Sequence, residues 1–134
     1  MLPNPSIAEP LDLDDPRTSA IAKKAFFRVL TLWGATNDQA RVLLGNPSRS
    51  TFFAWKKGAG GNLTRDALER VSSVLGIYKA LQILFPDAAQ ADAWVSKPNA
   101  AFGGRTALDR MTAGNVSDLY AVRAYLDYAR GGGS

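Results

Sequence analysis

Cysteine and histidine are both absent from the 134 residues. Without cysteine there is no disulfide, no thiolate nucleophile and no thiolate-based zinc site. Without histidine the commonest general base and the commonest metal ligand are gone as well. The twelve acidic residues form no paired constellation along the chain, so neither an enzyme nor a metal or other cofactor is expected. No apolar run approaches the ~20 residues that a bilayer-spanning helix needs. The first residues carry prolines and acids where a secretory leader would have a basic and then an apolar stretch. The expectation is a cytoplasmic protein with no membrane attachment.

What is present fits a packed domain. Hydrophobic residues make up 46% and charged residues 21%, a balance that supports a core and argues against global disorder. The length suits one compact domain or two small helical modules sharing a core. The net charge is +4, but its distribution says more than its size. Residues 1–16 hold four acids and no base; residues 17–70 hold ten bases against three acids; residues 71–134 hold six against five. A positive surplus confined to one segment suits a face that neutralises phosphates. A solvated basic helix surface is the plainer alternative.

Residues 1–16 read as a flexible tail ending in Asp15-Pro16, an N-cap followed by proline at the first helical position. A helix over 17–33 follows, with Ile21, Ala25, Phe26, Val29, Leu30 and Trp33 on one stripe at helical spacing. Thr36 and Gln39 have the spacing of a capping box and open a short helix to about residue 44. Gly45-Asn46-Pro47 makes a turn, and Ser48 caps a helix over 49–57. After a glycine-rich loop, Thr64 caps a longer helix. Its stripe of Leu68, Val71, Leu75, Tyr78, Leu81 and Phe85 runs to Phe85-Pro86. Short helices are then predicted over 88–96, from Thr106, and from a Ser117 cap to about residue 129. Residues 97–104 read as a loop and 130–134 as a tail of little intrinsic order. No segment alternates with period two, so the fold class is all-α.

The short helix, glycine turn and second short helix at residues 37–57 have the dimensions of a helix-turn-helix. In that arrangement the second helix enters the major groove by its N-terminal end. Here that end is Ser48-Arg49-Ser50-Thr51. Arg49 has the fork that grips guanine, and the hydroxyls suit phosphates or bases. Lys56 and Lys57 suit backbone phosphates, whereas Phe52 and Trp55, three apart, point into the bundle.

The C-terminal half offers no catalytic pair. It mixes Trp94, Phe102, Met111, Tyr120, Tyr125 and Tyr128 with Gly103-Gly104-Arg105, residue types enriched at protein interfaces. Closure of a small helical core is an equal reading for Trp94 and Phe102. The double glycine lacks the surroundings of a nucleotide loop and reads as a helix-entry turn.

Trp94, Pro98-Asn99, Phe102-Gly103-Gly104-Arg105-Thr106, Leu108-Asp109 and Gly114 occur in an order that closely resembles the toxin-binding domain of Xre/MbcA/ParS antitoxins. The elements Leu43-Leu44-Gly45, Ser50-Thr51-Phe52, Trp55-Lys56-Lys57-Gly58 and Leu75-Gly76-Ile77-Tyr78 resemble the Xre-like helix-turn-helix that precedes it. One departure stands out: Ala107 occupies a position where the family commonly has proline.

The resemblance implies a type II antitoxin. Its partner would be a RES-type toxin that consumes NAD or transfers ADP-ribose, neutralised by covering the toxin's active site. The antitoxin would repress its own operon by binding operator DNA, generally as a homodimer. The division implied is a tail over 1–16, a DNA-binding domain over 17–76 and a toxin-binding domain over 77–134. DNA-facing residues would be Ser48, Arg49, Ser50, Thr51, Lys56 and Lys57. Toxin-facing residues would be Trp94, Lys97, Asn99, Phe102, Gly103, Gly104, Arg105 and Arg130. A transcription regulator whose C-terminal half only dimerises is the rival reading.

Overall fold

A computed structural model describes residues 15–132, which form seven α-helices joined by short turns and loops. They are α1 (Pro16–Leu32), α2 (Asn37–Leu43), α3 (Arg49–Lys56), α4 (Arg65–Leu84), α5 (Ala88–Ala93), α6 (Ala107–Met111) and α7 (Val116–Asp127). Short 3-10 turns at Trp94–Ser96 and Ala100–Phe102 lie between α5 and α6, and one wide turn, Tyr128–Gly132, follows α7. The sole β-type pairing among these residues is an isolated bridge between Pro98 and Thr106. The all-α class holds. Of the expected N-terminal tail, residues 1–14 lie outside the described residues, while Asp15 and Pro16 belong to the start of α1.

Helix starts follow local side-chain chemistry. Asp15, Thr36, Ser48, Thr64 and Thr106 each accept a backbone N–H of the following first turn. Such a cap is worth about 1 kcal/mol. Thr36 with Gln39 and Thr106 with Asp109 are reciprocal boxes. The last helix departs from expectation: it starts at Val116 after an Asn115–Asp118 box, two residues ahead of a Ser117 cap. The Asp118 carboxylate accepts from Asn115 N and also from Arg110 Nε at 3.0 Å, so pairing with α6 favours the earlier start.

The core is organised around α4. Ala67, Leu68, Val71, Val74, Ile77, Ala80 and Leu81 are all buried, more of the circumference than the single predicted stripe. Leu75, Tyr78 and Phe85, assigned to that stripe, are only partly buried. α4 packs against α1 and against both α5 and α7. Gly76 leaves room for a side chain of α7: a Cβ there would lie 2.7 Å from the Arg123 guanidinium carbon. Gln82 Nε2 donates to Asp92 of α5 at 2.9 Å.

The inner face of α1 also differs from expectation. Phe26, Val29, Leu30 and Trp33 are buried, but Ile21 is 70% exposed. Ser19 and Lys23 are buried in its place, one turn apart and facing the chain that returns from α3. That segment has positive φ at Gly58, Gly60 and Gly61 and brings Leu63 into the core. Leu63 N donates to Ser19 Oγ at 2.7 Å. Lys23 Nζ donates to the carbonyls of Ala59, at 2.9 Å, and Gly61. Burial holds the Lys23 ammonium below the usual lysine range, and the carbonyl pair offsets that cost.

Removing the Ser19 hydroxyl leaves the Leu63 N–H buried without its acceptor. Ser19→Ala is expected to lower unfolding stability by about 1–3 kcal/mol in urea titrations, although the substitution itself is small and apolar.

Candidate DNA-reading and partner-binding faces

The turn between α2 and α3 is fixed from two sides. Gly45 and Asn46 have φ of 90° and 59°, and Arg41 Nε donates to the Pro47 carbonyl at 2.6 Å. The Asp66–Arg70 pair at the start of α4 backs the turn, with 3.0 Å between its charged atoms. A Cβ at Gly45 would approach Asp66 Oδ2 to 2.8 Å, so a side chain here would displace that carboxylate as well as strain the left-handed backbone. Phe52 and Trp55 are buried, and Phe27 meets Phe52 edge-on at 5.6 Å. These contacts anchor α3 by one face and leave the other outward.

Ser48, Arg49, Ser50, Lys56 and Lys57 are exposed, and Thr51 is half-buried. The Ser48 hydroxyl is committed to the cap: it accepts Thr51 N at 3.2 Å and donates to Thr51 Oγ1 at 3.0 Å. Arg49 lies 3.6 Å from Asp38 of α2, both largely exposed. Such a pair is worth about 0–1 kcal/mol and yields readily to a guanine or a phosphate. Lys56 Nζ donates to Asn37 at 2.6 Å, which joins the far end of α3 to the start of α2. The charge count itself is sharpened, since Lys23 is buried and Arg41 holds the turn; neither base is free for a polyanion.

In the C-terminal half, Trp94, Phe102 and Tyr125 form one half-open cluster. Trp94 stacks on Tyr125 with centroids 6.1 Å apart and an interplanar angle of 17°. Phe102 meets both rings edge-on. Trp94 and Phe102 close onto the core while keeping partial exposure. Met111 is buried and belongs to the core alone. Tyr125 is the member of the cluster that the family pattern does not mark; its contacts with Trp94 and Phe102 are visible only in the fold.

The loop beside this cluster is rigidly built. Asn99 Oδ1 accepts Ala101 N at 2.9 Å, and Asn99 N donates to the Arg105 carbonyl at 2.9 Å. Gly103 and Gly104 have φ of 67° and 84°, backbone that side chains rarely adopt. Asn99 and the two glycines therefore shape the loop. Lys97 and Arg105 are exposed on it, and Arg130 is exposed on the turn after α7. Tyr120 and Tyr128 add exposed aromatic surface to α7 and that turn.

Among the described residues no cluster of acidic side chains is placed to hold a metal ion, and no helix is long and apolar enough to cross a membrane. A helix-turn-helix with an outward basic helix, continued by a helical module with an aromatic, loop-built face, defines a DNA-binding protein with an appended partner-binding module. Comparison with known proteins is specific. Residues 12–76 match the antitoxin Xre-like helix-turn-helix domain, and residues 80–132 match the antitoxin Xre/MbcA/ParS C-terminal toxin-binding domain. The chain belongs to the Xre/MbcA/ParS antitoxin family. It is also 52% identical over 109 residues to uncharacterized protein y4oB of Sinorhizobium fredii (strain NBRC 101917 / NGR234), covering 81% of this chain and 84% of that protein.

Because Asn99 caps the 3-10 turn, Asn99→Ala is expected to cost about 1 kcal/mol. Faster amide hydrogen exchange at Ala101–Arg105 than elsewhere in the chain would report that loosening.

Proposed function

We propose that the chain neutralises a RES-type toxin by covering its active site, and represses its own operon by binding operator DNA as a homodimer. It acts as a binder and not as an enzyme. The observation that carries this reading is the pairing, within one chain, of an exposed basic recognition helix with a region matching a toxin-binding domain.

On the DNA side, α3 enters the major groove with Arg49 at a base edge and Ser50 and Thr51 near it. Ser48 holds the helix start, and its capped N-terminus faces the polyanion. Lys56 and Lys57 sit at the other end of α3 and contact phosphates. On the toxin side, the Trp94–Phe102–Tyr125 cluster supplies apolar anchorage. Lys97 and Arg105, on the loop shaped by Asn99, Gly103 and Gly104, supply charge, and Arg130 extends that contact from the end of α7. Self-association uses Ile21, whose exposed side chain joins Ala22, Leu68, Val71 and Leu75 around an apolar groove of about 460 Å³ between α1 and α4.

Full-length variants test the division of labour, because α4 is common to both halves. The antitoxin gene is co-expressed with the toxin gene, and growth and a promoter reporter are read together. Arg49→Ala is expected to keep toxin neutralisation while operator affinity falls by about 1–3 kcal/mol. Arg105→Glu, on an exposed loop side chain, is expected to lose neutralisation while repression persists. Loss of both readouts in either variant, or of neither, would count against the assignment.

A further inference from the structure

The cleft between α1 and the C-terminal end of α3 has a composition that recognition-helix geometry alone does not account for. It encloses about 380 Å³, and its walls include Lys24, Phe27, Trp55, Lys56 and Lys57. Lys23 also borders it, but is drawn inward to the carbonyls of Ala59 and Gly61. No carboxylate lines it. Lys24, Lys56 and Lys57 are exposed. Three exposed lysines, one on α1 and two at the end of α3, thus line a cavity that also has Phe27 and Trp55 in its walls and is open to solvent.

Three like charges around one cleft repel one another, and nothing in its walls neutralises them. Lys56 has only the neutral amide oxygen of Asn37 as its partner. The aromatic walls are held firmly. Phe27 packs on Phe52, and Gly60 runs so close over Trp55 that a Cβ there would lie 3.0 Å from the indole Cδ1. The lysines therefore project from anchored elements, one from α1 and two at the end of α3.

We infer that this cleft is a phosphate-binding site, completed by Lys24 of α1, that seats a backbone phosphate of the duplex whose major groove α3 occupies. The inference rests on the DNA-binding reading above and deepens it. Lys24 lies outside the two-helix motif of α2 and α3 and adds a contact that fixes how α1, and with it the whole bundle, sits against the duplex. A backbone contact carries no base information, so its signature differs from that of Arg49.

Full-length protein is titrated with a labelled duplex from upstream of its own gene, and with a scrambled duplex of equal length, across a range of salt. Lys24→Ala is expected to weaken binding to both duplexes by the same several-fold factor. The slope of log affinity against log salt should fall by about 0.9, the counterion equivalent of one phosphate. Lys24→Arg should retain the slope, and Lys79→Ala, on an exposed part of α4, should change nothing. Wild-type protein that binds neither duplex would overturn the DNA reading itself. Wild-type binding with Lys24→Ala unchanged in affinity and slope would overturn the cleft assignment alone. Inorganic phosphate is titrated calorimetrically as well. Sub-millimolar phosphate binding that Lys24→Ala abolishes, with DNA affinity intact, would assign the cleft to a free anion and overturn the duplex assignment.

Discussion

The burial of α4 between α1 on one side and α5 and α7 on the other is the constraint on which the structure depends. Val74, Ile77 and Leu81 are each inaccessible to solvent, and burying a side chain of this size stabilises by about 1.5–3 kcal/mol. Neither half of the chain can keep that surface covered by itself. Removing α7 would open the side of α4 that holds Gly76 against Arg123, and removing α1 would open the side carrying Val71. Two family domains meet in this helix: the match to the helix-turn-helix ends at residue 76 and the toxin-binding match begins at residue 80. They are sequence units that share one core.

The same helix sets the posture of the DNA-reading element. Its first turn carries the Asp66–Arg70 pair against Gly45, so the turn between α2 and α3 is seated on α4. The returning loop after α3 is tied to α1 by Ser19 and Lys23. A chain of polar and packed contacts thus runs from the recognition helix through α1 and α4 to α7. Ser96 Oγ reaches the Trp33 carbonyl at 3.4 Å and adds a tie between the end of α1 and the C-terminal half. Tyr125 itself lies on α7, which packs on the helix that buttresses the turn.

Local chemistry was the most legible part of the sequence. A cap depends on one side chain and a backbone N–H three residues on, so Thr36, Ser48, Thr64 and Thr106 announce their helices without reference to the rest of the chain. The glycine turn was readable for the same reason. What sequence periodicity could not supply was the choice among near-equivalent faces. On α1 the most hydrophobic stripe includes Ile21, yet the face that turns inward carries Ser19 and Lys23, because the returning loop has backbone groups that need polar partners. On α4 a stripe understates burial, because neighbours pack against it from more than one side. Asn115 and Ser117 are both competent caps, and only the pairing of Asp118 with Arg110 across α6 and α7 decides between them. At the candidate site, Arg49 and the loop glycines were visible in the sequence. Tyr125 was visible as an interface-type residue, but its stacking on Trp94 was not, and Lys24 emerged only when the fold placed it in one cleft with Lys56.

The central claim is that α4 makes both halves one cooperative unit. Native-state hydrogen exchange under mild denaturant tests it most directly, by comparing amides at Phe26–Leu30 in α1 with amides at Leu119–Leu126 in α7. One unit predicts that both sets open only with α4 and with a common free energy and denaturant dependence. If the α7 amides exchange through a separate opening at a much lower free energy while α1 and α4 remain protected, the halves are independent and the account is contradicted.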